Sequence, residues 1–575
     1  MNTAYGLAGV LLVVVATILI GVLGRFSRTT SDFYVASRTV TPLRNASAIG
    51  GEYLSAASFL GIAGLILAYG ADMLWLPVGW TGGYLILLVL VSAPLRRSGA
   101  YTLPDFAEAR LESMTVRRVA SVLVVLISWL YLLPQFQSAG LVLRTVTGAP
   151  VWTGAVLVAV VVAVNVLAGG MRSVTLVQAF QYWLKLTALA VPLVFLLLAW
   201  RHDGAPGLTQ DTPPQFSERT TVSVSLAVTV DVVEPVQVVV DGRVDGREYD
   251  DAAVALQPGR HHIAENTTVT FPEGADVPHV SDRPATTDRD WVMPLDGRPH
   301  SLYATYSLIL ATFLGTMGLP HVLVRFYTNP DGRAARRTTV MVLSLLGVFY
   351  TLPAAYGALG RLYTPELLMT GRADAVVLTL PGRLIGGLGG DLLGALVTGG
   401  AVAAFLSTSS GITVTVAGVI AQDILRGGVR SFRAGTLLAL VVPVALSIAA
   451  RSLPVADVVG LAFAVAASTF CPLLVLGVWW RRLTVPGALA GLMVGGVLAG
   501  TSVVVTIGAG PPGGLAGALL AEPAAWTVPV AFATMIIVSL CTPKRVPPGV
   551  ARMMVRLHTP ESLAVDRGTW RPKRV

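Results

Sequence analysis

Residues 50–64 read GGEYLSAASFLGIAG, within a stretch that otherwise has the composition of a membrane-spanning helix. The segment carries a carboxylate at Glu52, hydroxyls at Tyr53, Ser55 and Ser58, and four glycines. Backbone at membrane depth is irregular only where protein or a water-filled cavity supplies its hydrogen-bond partners. The segment therefore predicts a helix that is broken at a binding site.

The composition of the whole chain predicts a polytopic membrane protein. Of its 575 residues, 54% are hydrophobic and 13% are charged, and the mean hydropathy is +0.70. A helix needs about 20 apolar residues to cross the hydrocarbon core, and thirteen segments qualify. They run over residues 5–24, 46–70, 74–95, 119–143, 151–169, 174–200, 301–324, 338–360, 392–420, 434–450, 456–480, 486–508 and 525–541. We therefore predict an all-α membrane protein with 13 transmembrane helices.

The positions of the basic residues predict the orientation in the membrane. No basic residue precedes the first apolar segment, whereas Arg25 and Arg28 follow it. This order predicts an uncleaved helix with its N-terminus outside and, by alternation, a cytoplasmic C-terminus. The predicted cytoplasmic loops then hold most of the Lys and Arg, as expected for a protein of the cell membrane.

We divide the chain into five regions. Residues 1–200 hold an extra N-terminal helix and a first repeat, 301–480 a second repeat, 481–541 two more helices, and 542–575 a basic tail. Residues 201–300 are acidic and combine alternating valines with DG turns, which is typical of β-strands. We expect a small β-rich extracellular insertion there.

Two polar features outside the helices each admit two interpretations. His261 and His262 are either a metal pair or, because no third ligand is evident, solvated surface. The tail is either a nucleic-acid or partner site or an inward-facing segment near anionic lipid. The second interpretation predicts the lipid bilayer as partner and no nucleic acid.

Two further segments have polar or helix-breaking residues at membrane depth. The seventh, ATFLGTMGLPHVLVRFYTN, is interrupted by Gly315, Gly318 and Pro320, and it follows the second by five helices. That spacing is expected of two inverted five-helix repeats. The ninth contains Ser407 and Thr408, whose neutral oxygens suit an alkali cation, although small polar residues also let helices pack closely.

Three blocks of the chain resemble the acetate-permease branch of the sodium:solute symporter family. They are SDFYVASRTVTPLRNASAIGGEYLSAASFLGIAGLILAYG, GTMGLPHVLVRFYTNPDGRAARRT and AAFLSTSSGITVTVAGVIAQDIL. The resemblance covers essentially every helix but not residues 201–300. It implies the five-plus-five inverted-repeat core of the leucine-transporter type, formed by helices 2–11.

The resemblance also implies two sets of site residues. The cation site would comprise the carbonyls of Gly51, Leu54 and Ala404 and the hydroxyls of Ser407 and Thr408. The substrate would lie beside the breaks in the second and seventh helices, with Ser55, Phe59, Gln135, Gly315 and Gly318 as candidates. A half-helix N-terminus there would favour an anion.

Two intramembrane charges are candidates for coupling. Glu52 would tune cation affinity, take up a proton, or reach water at the cytoplasmic end. Lys185 lies ten residues after Thr175, close to mid-bilayer at about 1.5 Å per residue. Its ammonium would be a counter-ion to a carboxylate substrate, a substitute for sodium that makes transport proton-coupled, or a partner of Glu52.

The resemblance implies a symporter that imports a small monocarboxylate such as acetate, propionate or pyruvate. The coupling ion would be Na⁺ or H⁺, with no other metal, no cofactor and no obligate protein partner. No nucleotide-binding loop, nucleophile elbow or HExxH motif suggests an enzyme. The alternatives are a symporter of another solute, such as a sugar or proline, and a membrane sensor with an extracellular ligand domain.

Overall fold

The computed structural model describes most of the chain. It covers residues 3–23, 36, 39–209, 211–224, 226–280, 287–295, 300–425, 428–449, 455–508, 510 and 512–563. Arg25 and Arg28, on which the predicted orientation rests, lie outside these residues, as do part of the first family-like block and the tail after residue 563.

The first half of the chain folds into helices that pack through small and apolar side chains. They are α1 (Thr3–Leu23), α2 (Pro42–Tyr53), α3 (Ile62–Tyr69), α4 (Trp75–Ile86), α5 (Ser92–Ser98), α6 (Leu103–Leu111), α7 (Met114–Thr147) and α8 (Val151–His202). A π-helical turn over Ala57–Gly61 joins α2 to α3 after a break. A second π-helical turn, Leu87–Val91, joins α4 to α5.

The second half continues the helical bundle. Its helices are α9 (Asp288–Val292), α10 (Ser301–Gly318), α11 (Pro320–Val324), α12 (Gly332–Tyr363), α13 (Val376–Leu380), α14 (Gly387–Asp423), α15 (Val429–Ala449), α16 (Val455–Trp479), α17 (Val485–Gly508), α18 (Gly514–Ala521), α19 (Ala524–Cys541) and α20 (Val550–His558). Many apolar side chains on their outer faces are exposed, as expected of surfaces that contact lipid.

Among the described residues, eleven helices are long and apolar enough to cross a membrane, so the chain is a multi-pass membrane protein. Two of them, Ala57–Ser98 and Val151–His202, are 42 and 52 residues long, which exceeds the roughly 20 residues that one crossing needs. Each contains a glycine with positive φ, Gly70 at 69° and Gly170 at 55°, where the chain can turn without strain. Val151–His202 can therefore supply two crossings, and Ala57–Ser98 can do so together with the preceding α2, so the count of thirteen stays a prediction.

In the described part of the chain between α8 and α9, seven strands form an antiparallel sheet. They are β1 (Thr220–Val224), β2 (Val228–Val232), β3 (Val236–Val244), β4 (Arg247–Leu256), β5 (Gly259–Ile263), β6 (Thr267–Phe271) and β7 (His279–Val280). The order is β1-β6-β3-β5-β2-β7, with β4 paired to β3. Alternate residues of β2 and β6 are buried, and the rings of Phe216 and Phe271 stack in the sheet's core, 4.8 Å apart.

The short helix α9 ties the segment after the sheet to the bundle. Trp291 Nε1 donates a hydrogen bond to the carbonyl of Leu67 in α3 at 3.1 Å. Arg361 of α12 pairs with Asp288 at 2.8 Å and lies over the Trp291 ring. Residues 288–295 therefore form a strap, held by buried contacts at one end of α3 and α12.

Candidate cation and substrate site

The second apolar segment is broken where the sequence predicts a break. α2 ends at Tyr53, and Leu54 has φ and ψ of −74° and 83°, outside helical geometry. Gly51 lets α2 approach α8, because a Cβ there would lie 2.2 Å from the carbonyl oxygen of Gln178. The break leaves backbone carbonyls without helical partners, and they lie against α8.

The Lys185 ammonium of α8 occupies the predicted cation site. Its Nζ donates hydrogen bonds to the carbonyls of Gly51 and Leu54, at 2.5 and 2.6 Å, and to Ser407 Oγ at 3.0 Å. Lys185 is fully buried. An ammonium has three N–H donors, and these three oxygens satisfy all of them.

The two other predicted cation ligands lie beside this cluster. The hydroxyl of Ser407 donates to the carbonyl of Ala404 at 3.1 Å, and Thr408 Oγ1 donates to the carbonyl of Glu52 at 2.6 Å. The predicted ligand set is thus assembled at the junction of α2, α8 and α14, with a lysine at its centre.

Glu52 forms a buried ion pair with Arg325, which follows α11. Arg325 Nε lies 2.5 Å from Glu52 Oε2, and both side chains are buried. Its Nη1 donates to Thr175 Oγ1 and Met171 Sδ, each at 2.9 Å, and its Nη2 donates to Gln178 Oε1. Glu52 therefore neither reaches water in this conformation nor forms the ion pair with Lys185 that the sequence left open.

The substrate candidate Gln135 lies at the break itself. Its Oε1 accepts the backbone N–H of Ala56 at 3.1 Å, which leaves its Nε2 as a buried donor without a partner among the described residues. Ser55 is buried in the same part of the structure, with its hydroxyl next to that of Tyr131. The Phe59 ring instead packs against the Phe349 ring and against Gly400, where an added Cβ would lie 2.8 Å from Phe59 Cζ.

Gly315 and Gly318 serve close packing between α10 and α16. A Cβ at Gly315 would lie 2.5 Å from the carbonyl oxygen of Phe463, and one at Gly318 would lie 2.3 Å from that of Ala466. The helix break follows at Leu319, whose ψ is 118°. The structure gives these glycines a packing role, and their contact with substrate stays a prediction.

Two residues at the break in the seventh segment, His321 and Arg325, were not among the predicted site residues. His321 is fully buried, its ring lies 5.0 Å from that of Tyr131, and neither ring nitrogen has a hydrogen-bond partner among the described residues. The signal was present, since both are ionisable residues in an apolar segment and lie four residues apart.

Two solved structures share this fold. A Na⁺-coupled sialic acid symporter in a substrate-bound outward-open state aligns with a TM-score of 0.63 at 13% identity, over 93% of this chain and 97% of its own. MHP1, a nucleobase-cation-symport-1 family transporter in a closed conformation with bromovinylhydantoin bound, aligns with a TM-score of 0.52 at 12% identity, over 92% and 100%. The likeness establishes a fold of the leucine-transporter type, as the sequence predicted.

Sequence relatives identify the family. An uncharacterized symporter, YwcA of Bacillus subtilis (strain 168), is 31% identical over 480 residues, 82% of this chain and 80% of its own. A monocarboxylic acid transporter of Corynebacterium glutamicum is 30% identical over 505 residues, 84% and 80%. The sequence model of the sodium:solute symporter family matches residues 33–208 and 286–495. The chain therefore belongs to the sodium:solute symporter family and is a transporter rather than an enzyme.

Proposed function

We propose that this protein imports a small monocarboxylate, such as acetate, propionate or pyruvate, together with a proton. In this proposal the N-terminus and the strands between Thr220 and Val280 lie outside the cell, and the C-terminus lies inside. The name of the Corynebacterium relative supports the substrate class. The placement of Lys185 carries the choice of coupling ion.

Lys185 supports proton coupling because its ammonium takes the place that a sodium ion would need. The same carbonyls of Gly51 and Leu54 and the hydroxyl of Ser407 hold the Nζ. A sodium ion there would compete for these oxygens and would lie beside a positive charge. Release of the proton would free the oxygens, and binding of a proton would restore the link between α2, α8 and α14.

The charges around Lys185 support an anionic substrate. The charged side chain that interacts electrostatically with Lys185 is Glu52 of α2, which is paired with Arg325 after α11, while Ser407 of α14 contributes a hydroxyl. Because Glu52 and Arg325 neutralise each other, the protonated lysine leaves one unbalanced positive charge among these three buried groups. A bound monoanion would balance it, so proton and carboxylate would favour each other's binding.

Counterflow in proteoliposomes tests the substrate class without any ion gradient. Vesicles preloaded with unlabelled pyruvate should accumulate labelled pyruvate transiently, and external acetate or propionate should compete while glucose and proline do not. Protein-free vesicles give the passive leak. Competition by glucose or proline alone would favour a symporter of another solute. Absence of any counterflow would favour a membrane sensor.

Lys185 variants separate coupling from structure. Lys185→Gln keeps a polar group at the cation site but cannot carry a proton. We expect it to retain counterflow, with a higher half-saturating pyruvate concentration because the balancing positive charge is gone, and to lose uphill uptake driven by an inward proton gradient. Thr436→Val, which removes a buried hydroxyl that donates to Phe432 in α15, is the matched control. Proton-driven accumulation that persists in Lys185→Gln would contradict the proposed role.

A further inference from the structure

Buried hydrogen-bond donors without partners surround the two helix breaks. They include Gln135 Nε2, Trp80 Nε1, the hydroxyl of Tyr84 and the His321 ring, none of which has a partner among the described residues. All four side chains are buried. Unsatisfied buried polar groups carry a free-energy cost, and a ligand that bonds to them removes it.

Ring contacts connect Trp80, Tyr84 and His321 into one cluster around Phe463 of α16. The Phe463 ring lies 5.7 Å from that of Trp80 and 6.1 Å from that of Tyr131. Tyr131 in turn contacts His321, and Gln135 lies four residues after Tyr131 on the same face of α7. Gln135 and His321 are therefore both neighbours of Tyr131. His321 follows the helix break at Leu319, and Gln135 accepts a hydrogen bond from Ala56 at the break after α2.

The two buried cations near the breaks are already satisfied. Lys185 donates to three oxygens, and Arg325 donates to Glu52, Thr175, Met171 and Gln178. Direct pairing of a substrate carboxylate with either cation would break these contacts. Neutral donors remain available for the substrate, and a carboxylate, which only accepts hydrogen bonds, matches them.

We propose that Gln135 Nε2 and the His321 ring bind the carboxylate of the transported monocarboxylate. The orientation of the Gln135 amide is fixed, because its oxygen accepts the N–H of Ala56 and its NH₂ group must then face the other way. The Tyr131 ring contacts that of His321, and the Phe463 ring contacts that of Tyr131, so two apolar rings lie next to the proposed carboxylate site. The inference rests on the proposed function and assigns two of its specificity-determining residues.

Two variants test the pair with little change of shape. Gln135→Glu keeps an oxygen acceptor for Ala56 but presents a negative charge to the substrate, and His321→Phe keeps a ring against Tyr131 but removes both nitrogens. Hydrogen bonds to charged groups contribute enough that each variant should raise the half-saturating concentration in pyruvate counterflow by about 10- to 100-fold. Thr436→Val should leave it unchanged.

The measurement distinguishes the assignment from the proposed function. If the wild type shows counterflow and both variants have the same half-saturating pyruvate concentration as the wild type, the assignment of Gln135 and His321 is overturned but the proposed function is not. Absence of monocarboxylate counterflow by the wild type overturns both proposals. Thermal unfolding of each variant in detergent checks folding, and a weakened variant with wild-type Tm supports the assignment. If a variant is unstable, the rise in Tm caused by pyruvate is measured instead, in the wild type and in Gln135→Asn. An equal rise in Tm in both proteins overturns the assignment.

Discussion

At the scale of single residues, the sequence identified Lys185 but not the contacts that explain it. A lysine ten residues into an apolar segment is conspicuous in a sequence, and the carbonyls at the glycine-rich break follow from the resemblance. The partner of Glu52 does not follow from the sequence, because Arg325 is 273 positions away and contacts Glu52 only in the folded structure. Non-local pairing of this kind is invisible to local patterns.

The Glu52–Arg325 pair predicts strongly unequal effects of single and double substitution. Glu52→Gln or Arg325→Met leaves one buried charge without its partner, which costs about 3–5 kcal/mol. The double variant removes both charges of the pair, so neither is left without its partner, and it should unfold at a higher temperature than either single variant. Thermal unfolding in detergent measures this difference. Strictly additive losses would show that the two charges are not coupled.

His261 gives a prediction about pH, outside the membrane-spanning helices. Its Nδ1 lies 2.7 Å from Asp245 Oδ2, and its Nε2 lies 2.7 Å from the carbonyl oxygen of Gln257. Burial lowers the pKa of His261, but these two acceptors outweigh it and raise the pKa above its ordinary value. The pair should stabilise the fold fully below about pH 6.5, and this stabilisation should be lost as the pH rises through the folded pKa.

Histidine-selective NMR tests this assignment. The ring resonance that disappears in His261→Gln should titrate above about pH 6.5 in the otherwise wild-type protein. Asp245→Asn should shift the titration to lower pH. A ring that titrates below pH 6.5, or that ignores the loss of Asp245, would contradict the hydrogen bonds described for it.

At the scale of elements, the sequence predicted the broken helices but missed the strap at residues 288–295. Breaks have a strong local signal, since glycine and proline interrupt apolar runs. The strap helix α9 has five residues, too few for a periodic pattern, and its only sequence signal is the capping pair Thr287 and Asp290. Its position was set instead by contacts with Leu67 and Arg361.

Trp291 should be the main anchor of the strap. Trp291→Ala removes a large buried side chain and should cost about 3–5 kcal/mol. Trp291→Phe keeps a ring near Arg361 and loses the hydrogen bond to Leu67, so it should cost about 1 kcal/mol. Thermal unfolding should therefore rank alanine well below phenylalanine. Trp152→Ala, at an exposed position, is the control, and equal losses at both sites would refute an anchoring role.

At the scale of the whole molecule, hydropathy was sufficient to predict a helical membrane protein, and the resemblance predicted its core. The strands lie inside the predicted interval 201–300, at the alternating valines. Their order could not be predicted, because β3 also pairs with β5 and β6, which are not its neighbours along the chain. Likewise, the buried donor cluster depends on the packing of α4, α7, α11 and α16, which no single segment encodes.

The central claim is that Lys185 replaces sodium as the coupling group, and gradient-driven uptake tests it most directly. Proteoliposomes receive labelled pyruvate with either an inward proton gradient in sodium-free buffer or an inward sodium gradient at equal pH on both sides. Protein-free vesicles supply the passive component in each condition. We predict uphill accumulation with the proton gradient alone and none with the sodium gradient. Accumulation that requires sodium and ignores the proton gradient would contradict the claim.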